Sequence, residues 1–574
     1  MPGDGRHTYR PGMGFLQPNL PEVDAAWRAG TRAERMRPMA RHVAEVGFGT
    51  PDVVFVLYVV KIGLYVAGGA AFALLTPGID ELTATGAFQK VVLWTLLFEV
   101  LGLGCGFGPL NLRMVPPLGS FLYWLRPGTI RLPPWPGRVP LTRGTRRTAV
   151  DVALYAALLL ATLWALLSPD PVLGRERVVA VLVALALIGL RDKTIFLAAR
   201  AEVYGTLTVT FLLTGADLVV AAQLVMLAIW WGAATSKLNR HFPYVVQAMM
   251  SNSPVLRSRT IKRRFHRDFP DDLRPSGLAS TLAHVGTAVE YAVPLVLFLS
   301  HGGWVTTAAA VVMICFHLQI LTSIPMGVPL EWNVFMIYGI LTLFVHDAAY
   351  GLGDVTHPWP LVALLAVVVA TVVLGNVAPR RVSFLPGMRY YAGNWDTSYW
   401  CFTEAGLAKL DAGTTKASLL PHQQLEKIYG KEEAEIPLYI GYAFRAMHSH
   451  GRALFSLIPR ACGPGHDTDY LAIEGELVAG TVLGWNFGDG HLHDERLIGA
   501  LQERCHFEDG DVRVILLEAQ PIQRQRQEYR LVDAATGELE RGYVLVADMC
   551  ERQPCDTDLP VHVTSTRRRA ESGA

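Results

Sequence analysis

Charged residues are scarce in this chain of 574 residues. Asp, Glu, Lys and Arg make up only 18% of it, 51% is hydrophobic, and the mean hydropathy is +0.29. These values are unusual for a soluble protein of ordinary composition, so an entirely soluble chain is disfavoured. The formal net charge is only +1. Because the basic residues are explained by membrane orientation, no nucleic-acid partner is expected.

Paired cysteines and a cleavable leader are also missing. The seven cysteines form no C-x-x-C pair, which gives little support for a zinc site or a disulfide scaffold, so we expect them to be reduced. The first apolar run begins only near Val53, and no small-x-small cleavage site precedes it. We therefore expect Val53–Leu75 to be a signal anchor.

Long apolar runs are abundant between Val53 and Val377. A hydrocarbon layer of about 30 Å needs roughly 20 apolar helical residues. The runs of suitable length are Val53–Leu75, Val91–Leu110, Ala149–Leu167, Leu218–Thr235, Leu278–Leu299, Val305–Ile324, Val328–Val345 and Leu361–Val377. Two further segments are uncertain, because Val178–Leu190 is short and Thr194–Thr214 carries two charges. Each of them is either a span or a broken, re-entrant or surface helix. The pattern predicts an α-helical polytopic membrane domain of about ten spans, with about eight as the alternative, followed by a soluble α+β domain.

Basic residues predict the orientation, because Lys and Arg beside a span are retained in the cytoplasm. Arginines are frequent before the first span, after the second span and at 257–267. We expect a plasma-membrane protein whose N-terminus and soluble domain are both cytoplasmic. If only one doubtful helix crosses, every later loop changes side. The predicted parts are a cytoplasmic N-terminal segment at 1–50, a multi-pass transmembrane domain at 51–379, a soluble α+β domain at 380–556 and a disordered tail at 557–574.

Ionisable side chains inside the predicted spans are candidates for function, since a charge in a bilayer is costly. Lys61 and Glu99 read equally well as helix-end or packing charges, and Arg191–Lys193 reads as an interfacial ion cluster. Glu290 lies in the middle of its span. In IWWGAATSKLNRHFP, Lys237 either snorkels to the headgroups or, partly desolvated beside Trp230 and Trp231, acts as a general base.

A second informative stretch is CFHLQILTSIPMGVPLEWNVFMIYG, from Cys315 to Gly339. His317 stands in an apolar span, and a Pro/Gly break at Pro325–Pro329 precedes Glu331 and Asn333. Such breaks occur at membrane depth where the backbone lines a polar cavity or is covered by protein. We therefore predict a pocket with Lys237, His317 and Glu290 as catalytic residues. The predicted substrate-binding residues are Trp230, Trp231, Glu331, Asn333 and Arg200.

These segments resemble a known family. SKLNRHF is similar to the K-K-L-x-x-x-W stretch of the vitamin K-dependent gamma-carboxylase superfamily, also called the horizontally transferred transmembrane domain family. FHLQILTSIPMGVPLEWNVFMIYG is similar to its F-H and G-x-F-x-W helix pair, and FLPGMRYYAGNWDTSYWCF to the junction with its soluble part. The whole chain also resembles an uncharacterised family of actinobacterial, including mycobacterial, transmembrane proteins.

The superfamily resemblance implies a reaction. In the carboxylase, a lysine deprotonates a lipid hydroquinone, which then takes up molecular oxygen. That role falls on Lys237, and the motif histidine corresponds to His317. The resemblance thus implies a reduced quinone and molecular oxygen as co-substrates. The family's lysine pair is Ser236–Lys237 here and no glutamate-binding feature is visible, so oxidation of a quinone or lipid transfers better than carboxylation.

The soluble domain offers a weaker candidate. We expect helices at Ser418–Glu433 and Leu438–Leu457, a strand at Asp511–Ala519, and a hairpin of Glu528–Asp533 with Gly542–Asp548. GWNFGDGHLHDE contains Asp489, His491, His493 and Asp494, which either hold zinc or iron with help from His466 or His506, or form a solvated turn. We favour the turn.

Two classes of function follow. The first is a membrane-embedded enzyme that modifies or oxidises a lipid-soluble substrate, such as a reduced quinone, with a lysine base. The second is a non-catalytic transporter or envelope scaffold whose intramembrane charges stabilise packing or line a pathway. No internal repeat typical of many secondary transporters is visible, which favours the first class. The partners expected are the bilayer and a lipid-soluble small molecule.

Overall fold

The computed structural model of the chain describes residues 15–16, 18–105, 119–323, 330–383, 389, 392–486 and 491–567. Helices dominate as far as residue 377. They are α1 Ala25–Ala29, α2 Arg32–Glu45, α3 Asp52–Leu74, α4 Thr85–Val100, α5 Ser120–Trp124, α6 Ala149–Leu166, α7 Arg175–Arg191, α8 Lys193–Ala198, α9 Thr206–Thr210, α10 Gly215–Ser236, α11 Phe242–Asn252, α12 Arg259–Arg263, α13 Gly277–Leu299, α14 Gly303–Leu321, α15 Leu330–Gly339 and α16 Pro358–Val377. π-helical turns cover Ala201–Gly205 and Ile340–His346, a 3-10 turn covers Leu352–Asp354, and β1 His266–Asp268 pairs with β2 Asp272–Pro275.

Six helices in the described part of the chain are long and apolar enough to cross a membrane, namely α3, α6, α10, α13, α14 and α16. Several expose apolar side chains on the outside of the molecule, such as Val59 of α3 and Val367 of α16. Lipid is the solvent in which such a surface is stable. These helices confirm a multi-pass membrane protein. The other predicted spans coincide with shorter helical elements: α4, α7, α8 to α9, and α15 with its π-helical turn.

The doubtful segment Thr194–Thr214 is a broken helix, one of the forms expected for it. It is divided into α8, a π-helical turn and α9. The break lies at Arg200, whose φ is +50°, a left-handed conformation that is costly for a residue with a Cβ. Arg200 Nε is 3.3 Å from Glu202 Oε1, and its guanidinium lies 5.0 Å from the centre of the Trp332 ring. These contacts help to offset the backbone strain.

The N-terminal segment packs on the sheet-containing C-terminal part. Thr31 and Glu34 form a capping box at the start of α2, and the apolar face of α2 is buried against this part. Arg35 donates to Glu435 at 2.8 Å, and its guanidinium lies 3.9 Å from the centre of the Tyr439 ring. The predicted N-terminal segment and soluble domain therefore lie on the same face of the helical layer.

Beyond residue 396 the chain forms a six-stranded sheet with helices packed on it. The strands are β3 Thr397–Phe402, β4 Leu471–Glu474, β5 Val512–Leu517, β6 Arg526–Asp533, β7 Gly537–Leu545 and β8 His562–Thr566. The helices are α17 Glu404–Gly413, α18 Pro421–Tyr429, α19 Glu435–Met447, α20 Ser449–Cys462, α21 Gly475–Leu483, α22 Glu495–Cys505 and α23 Val546–Glu551. The strand order is β4-β3-β5-β6-β7-β8, and every neighbouring pair is antiparallel. We call residues 392–567 the sheet domain.

Comparison with the predicted elements gives three agreements and two differences. The predicted helix Ser418–Glu433 contains α18, and the predicted strand Asp511–Ala519 contains β5. The predicted hairpin is present as β6 and β7, where Asp533 pairs with Gly537. The predicted helix Leu438–Leu457 is split into α19 and α20 at His448, which has an extended backbone. Part of the predicted disordered tail pairs as β8 along β7, because the exposed edge of β7 offers it backbone hydrogen bonds.

The membrane helices and the sheet domain share one core. Trp124 of α5 packs 5.6 Å from Tyr155 of α6 and donates its Nε1 hydrogen to the carbonyl of Leu483 in α21 at 2.8 Å. The basic loop after α4 also bonds to α22, since Arg504 donates to the carbonyl of Thr145 at 3.1 Å. The apolar and polar parts that the hydropathy separates are therefore packed against each other in the structure.

Candidate functional site

Lys237 occupies the first turn after α10. The hydroxyls of Thr235 and Ser236 donate to the carbonyls of Trp231 and Gly232 at 2.7 and 2.9 Å, which satisfies acceptors in the last turn of the helix. Asn239 Oδ1 then accepts from the backbone N–H of Phe242, 3.1 Å away, at the start of α11. This tight turn between two helices points the Lys237 side chain back between α10 and α13.

Lys237 Nζ forms an ion pair with Glu290 of α13. Both side chains are more than 90% buried. The ammonium lies 5.0 Å from the ring centre of Phe242 and 5.8 Å from that of Phe316, so aromatic faces complete its surroundings. Removing either partner would leave an uncompensated buried charge.

His317 of α14 is held by two hydrogen bonds. Trp230 Nε1 lies 3.0 Å from His317 Nε2, and Asn333 Oδ1 lies 3.0 Å from His317 Nδ1. Indole N–H is only a donor, so Nε2 must accept and carries no hydrogen, and the neutral ring then has its hydrogen on Nδ1. His317 is therefore a neutral, oriented side chain with both ring nitrogens occupied.

These groups line one cavity of about 330 Å³. The predicted residues among its walls are Trp230, Lys237, Glu290, His317 and Asn333. The rest of the wall is mainly apolar: Ile229, Ala233, Phe242, Val246, Met249, Met250, Leu282, Val285, Gly286, Val289, Phe316, Gln319, Ile320, Trp332 and Met336. The cavity thus combines an extended apolar surface with a few converging polar groups, as ligand sites do.

Some residues that line the cavity are exposed. Leu282 and Val285 of α13 line it and are 40% and 51% exposed. Gln319 of α14 also lines it and is exposed. Both helices are long and apolar enough to cross a membrane, so these residues mark where a molecule dissolved in a bilayer would reach the cavity.

Three predicted binding residues lie elsewhere. Trp231 points away from the cavity and donates to the carbonyl of Tyr291 at 3.0 Å. Glu331 and Arg200 belong to a second buried cluster. The helical period explains this, since neighbouring residues of one helix face different directions, as Trp230 and Trp231 do on α10.

The second cluster joins α3, α4 and α15. Lys61 Nζ lies 3.1 Å from Glu331 Oε2 and donates to the carbonyl of Gly104 at 2.8 Å. Cys105 Sγ donates to Glu331 Oε1 at 3.2 Å, and Glu99 accepts from the backbone N–H of Cys105 at 2.9 Å. Glu99, Cys105 and Glu331 are all buried, and their ligand atoms lie within 4.8 Å of one another.

Among the described residues, this cluster is the one group whose spacing would allow a metal ion. Carboxylate and thiolate are suitable ligands for such an ion. The ammonium of Lys61 on Glu331 already supplies a positive charge there, so the cluster reads equally as a charge-paired packing network. From the sequence, Glu99 and Lys61 are interpreted as either helix-end or packing charges, and no signal brings Cys105 beside them.

The predicted histidine loop of the sheet domain forms an ion-pair network. His491 Nε2 lies 2.8 Å from Glu518, and His493 Nδ1 lies 2.9 Å from the hydroxyl of Ser398. Asp494 accepts from the backbone N–H of Arg496 and caps α22. Asp489 lies outside the described residues. The histidines are therefore largely buried in polar contacts, which differs from the solvated turn favoured from the sequence.

Opposing effects set the pKa values in this network. Burial raises the pKa of Asp396 to about 6 and lowers that of His493 to about 3. Burial would also lower the pKa of His491, but Asp396 and Glu518 outweigh it and raise the value to about 9. In Glu518, the hydrogen bond from His491 and the charges of His491 and Arg530 outweigh burial and lower the pKa to about 2.

The sheet domain also holds the loop that carries Lys237. His241 lies 2.7 Å from the hydroxyl of Ser449 and 2.8 Å from Gln520 Oε1. Gln520 in turn exchanges backbone hydrogen bonds with the amide of Asn394 at 2.6 and 3.0 Å. Burial lowers the pKa of His241 to about 4, so the ring is neutral near pH 7. The position of Lys237 is thereby coupled to the sheet domain.

The sequence reasoning missed α11 as a wall of the cavity. Phe242, Val246, Met249 and Met250 all line it. They recur at the i, i+4, i+7 and i+8 spacing of one helix face, and Pro243 stands in the first turn of the helix. Both are signals that the sequence contains.

Comparison with known proteins assigns a family. A family model described as "Transmembrane protein of unknown function (DUF3556)" matches residues 13–564. No curated protein and no solved structure gives a match. The expected likeness to a transmembrane family along nearly the whole chain is confirmed at this level, while the likeness to the gamma-carboxylase superfamily stays a prediction.

Proposed function

The chain belongs to the DUF3556 family of transmembrane proteins, and from that premise we propose that it is a membrane-embedded enzyme acting on a lipid-soluble substrate with an acidic hydroxyl. The observation that carries the proposal is the buried Lys237–Glu290 pair in the wall of an apolar cavity whose lining includes exposed residues of α13 and α14. An apolar substrate enters from the bilayer, and its hydroxyl meets the ion pair. The pair then removes the proton and holds the resulting oxyanion.

The two members of the pair have different roles in this proposal. An ammonium group offers only donors, whereas a carboxylate offers only acceptors, so Glu290 is the member of the pair that can take up a proton. The hydroxyl proton moves to a carboxylate oxygen of Glu290, and the ammonium of Lys237 donates a hydrogen bond to the oxyanion. We therefore assign the base to the pair, in place of the Lys237 amine alone expected from the sequence.

His317 and Trp230 act as a rigid wall beside the pair. His317 has both nitrogens engaged, so it orients a substrate and does not carry protons unless a bond to Trp230 or Asn333 opens. The Met249 and Met250 side chains on α11 give an adaptable apolar surface opposite. Together they fit a flat ring whose apolar tail remains in the bilayer.

A reduced quinone has this chemistry, with acidic hydroxyls on a flat apolar ring. The cavity of about 330 Å³ is near the lower end of the range for small-molecule sites, roughly 300–1,000 Å³, so it suits the ring better than the whole lipid. When bound, a reduced quinone supplies a hydroxyl that becomes electron-rich once its proton is removed. Reaction of that oxyanion with molecular oxygen rests on the resemblance to the carboxylase superfamily.

We also propose that the chain crosses the membrane about ten times. Two sets of contacts support this topology. On the face with the sheet domain, Trp124 after α4 and His241 after α10 bond to that domain. On the other face, Asp217 at the start of α10 accepts from the backbone N–H of Thr356 at 2.7 Å, before α16. Elements α4, α7, α8 to α9, and α15 then run between the two faces.

The second candidate function is a non-catalytic membrane transporter or envelope scaffold. The second buried cluster favours it, since Lys61, Glu99 and Glu331 form a charge network inside the helical layer that the proposed reaction does not use. Intramembrane charges of this kind also stabilise packing or line a pathway.

The experiment uses the full chain in liposomes with a reduced naphthoquinone under air. We expect Glu290→Gln and Lys237→Met to lower the rate of quinol consumption at least about 100-fold, because general-base catalysis contributes on that scale. The matched control is His284→Gln, on the same helix but exposed on its outer face, which should keep the parental rate. Quinol consumption is measured by chromatography of the extracted quinone species.

Two outcomes would refute the enzyme. One is that parent and Glu290→Gln consume the quinol at the same rate. The other is that the parent binds the quinol, seen as quenching of tryptophan fluorescence, without any turnover, which would favour the non-catalytic candidate.

A further inference from the structure

A second cleft lies on the sheet domain, away from the cavity of Lys237. Its volume is about 210 Å³. The residues that line it are Arg380, Arg526, Glu528, Tyr529, Arg530, Arg541, Gly542, Tyr543 and Thr564. Four of the nine are arginines, which is unusual in a chain with so few charges and suggests an anionic ligand.

The register of the sheet explains why the arginines converge. Arg526, Glu528 and Arg530 alternate along β6 and share one face of the sheet. Across from them on β7, Glu528 pairs with Tyr543 and Arg530 with Arg541. The same face thus presents three arginines around one carboxylate and one aromatic ring.

The cleft lies where the chain leaves the membrane. The loop between β5 and β6 bonds to the last turn of α16: Ile522 N donates to the carbonyl of Asn376 and Gln523 Nε2 to that of Val377, both at 2.9 Å. These contacts cover carbonyls that the end of a helix leaves without partners. Arg380 follows α16 directly, so the cleft is at the level of the headgroups.

Two of the arginines are already neutralised. Arg530 lies 2.8 Å from Glu518 and also pairs with Glu495. Arg541 pairs with Glu538 at 2.6 Å. These two shape the floor and rim of the cleft and have little charge left for a ligand.

The other two arginines retain positive charge. Arg526 lies over the Tyr543 ring at 4.5 Å, forms no ion pair within the described part of the chain, and has a buried Nε without a hydrogen-bond partner there. The side chain of Arg380 is 54% exposed and only 3.9 Å from Glu518, at the limit of an ion pair. A guanidinium fork stacked on an aromatic ring is preorganised for a bidentate oxyanion.

We propose that this cleft binds the phosphate diester of a phospholipid headgroup between Arg380 and Arg526. A phosphate diester carries one negative charge. Glu528 in the wall of the cleft repels anions, so it disfavours ligands that carry two negative charges. The headgroup thereby fastens the sheet domain to the bilayer at the end of α16. This site is independent of the reaction proposed for the membrane cavity.

The test uses the full chain in an uncharged maltoside detergent and two probes, short-chain dihexanoyl phosphatidylglycerol and inorganic phosphate. Binding is read from the rise in unfolding temperature with probe concentration. Arg526→Gln and Arg380→Gln should each weaken phosphatidylglycerol binding at least about tenfold, since each removes a charged hydrogen-bond donor. Arg380 is half exposed outside the sheet, so its variant tests the site even if Arg526→Gln fails to fold.

The matched control is Arg381→Gln. It removes the same charge one residue further along the interface but does not line the cleft, so it should bind as the parent does. Stabilisation by inorganic phosphate as strong as that by the lipid would support the phosphate site and identify free phosphate as its source. Absence of stabilisation by either probe, or equal losses in Arg380→Gln and Arg381→Gln, would overturn the proposal.

Discussion

At the residue scale, the geometry of the membrane cavity depends on how charges are paired. Lys237 and Glu290 are both removed from water and neutralise each other, whereas His317 is neutral through its bonds to Trp230 and Asn333. The sequence predicted Lys237, Glu290 and His317 as functional residues, because ionisable residues in apolar runs are energetically costly. It did not predict which of them pair, since pairing depends on the distance between α10 and α13.

The histidine network of the sheet domain makes a pH prediction. The pKa of His491 is raised from 6.5 to about 9, so its contribution to stability is complete below pH 6.5 and is lost as the pH rises through about 9. Glu518 titrates far below this window, near pH 2, and Asp396 titrates around pH 6, so only the end of its titration enters the window. Between pH 6.5 and 9 the unfolding temperature of the parent should therefore fall by several degrees more than that of His491→Asn.

The replacement is Asn because the φ of His491 is +48°, a conformation that Asn tolerates well. Unfolding is followed by tryptophan fluorescence in detergent. His562→Asn, at an exposed strand position, is the control and should show the parental slope. Parallel slopes for parent and His491→Asn would disprove the stabilising role of the charged imidazole.

At the element scale, the sequence predicted long helices far better than short ones. Uniformly apolar runs gave α3, α6, α10, α13, α14 and α16 within a few residues, because hydropathy measures the property that the bilayer selects. It missed α11 and joined α19 to α20. Both depend on local geometry, the turn after Lys237 and the extended backbone at His448, which hydropathy does not report.

The candidate site was predictable in part for the same reason. Ionisable residues in long apolar runs, such as Lys237 and Glu290, could be identified from the sequence as candidates, and both line the cavity. Trp231 could not be separated from Trp230, because the rotation of α10 is set by packing against its neighbours. Cys105, after the end of α4, and Glu331 of α15 come together, and nothing local in the sequence signals such a contact.

The exposed residues of α13 that line the cavity predict a route of entry for the proposed substrate. Val285→Trp should narrow this route and slow the uptake of a reduced naphthoquinone about tenfold at low substrate concentration. The turnover rate at saturating substrate should change little. Val285 is half exposed to lipid, so a larger side chain does not overpack the core. Initial rates of quinol binding by stopped-flow fluorescence measure the effect.

Leu295→Trp is the control, since Leu295 is exposed on α13 but does not line the cavity. It should leave the binding rate unchanged. Equal rates for Val285→Trp and the parent would mean that ligands reach the cavity by another path.

At the scale of the whole molecule, the N-terminal segment, the basic loops and the sheet domain form one layer against the membrane helices. Arg35 reaches Glu435, Trp124 reaches Leu483, and His241 reaches Gln520. A chain that starts and ends on one face must cross the membrane an even number of times. This constraint disfavours a topology in which only one of the two doubtful segments crosses.

The side on which this layer lies is open to a direct test. Basic residues are concentrated on it, from Arg28 before α3 to the cluster around Arg263, so retention of positive charge predicts that it is cytoplasmic. A green fluorescent protein fused after the sheet domain should therefore fluoresce. Alkaline phosphatase inserted between α6 and α7 should be active. In the exchanged arrangement, green fluorescent protein between α6 and α7 should be dark, and alkaline phosphatase after the sheet domain should be inactive. If the phosphatase is active after the sheet domain instead, the layer faces outward, and a lipid-soluble substrate would reach the cavity of Lys237 from the outer leaflet.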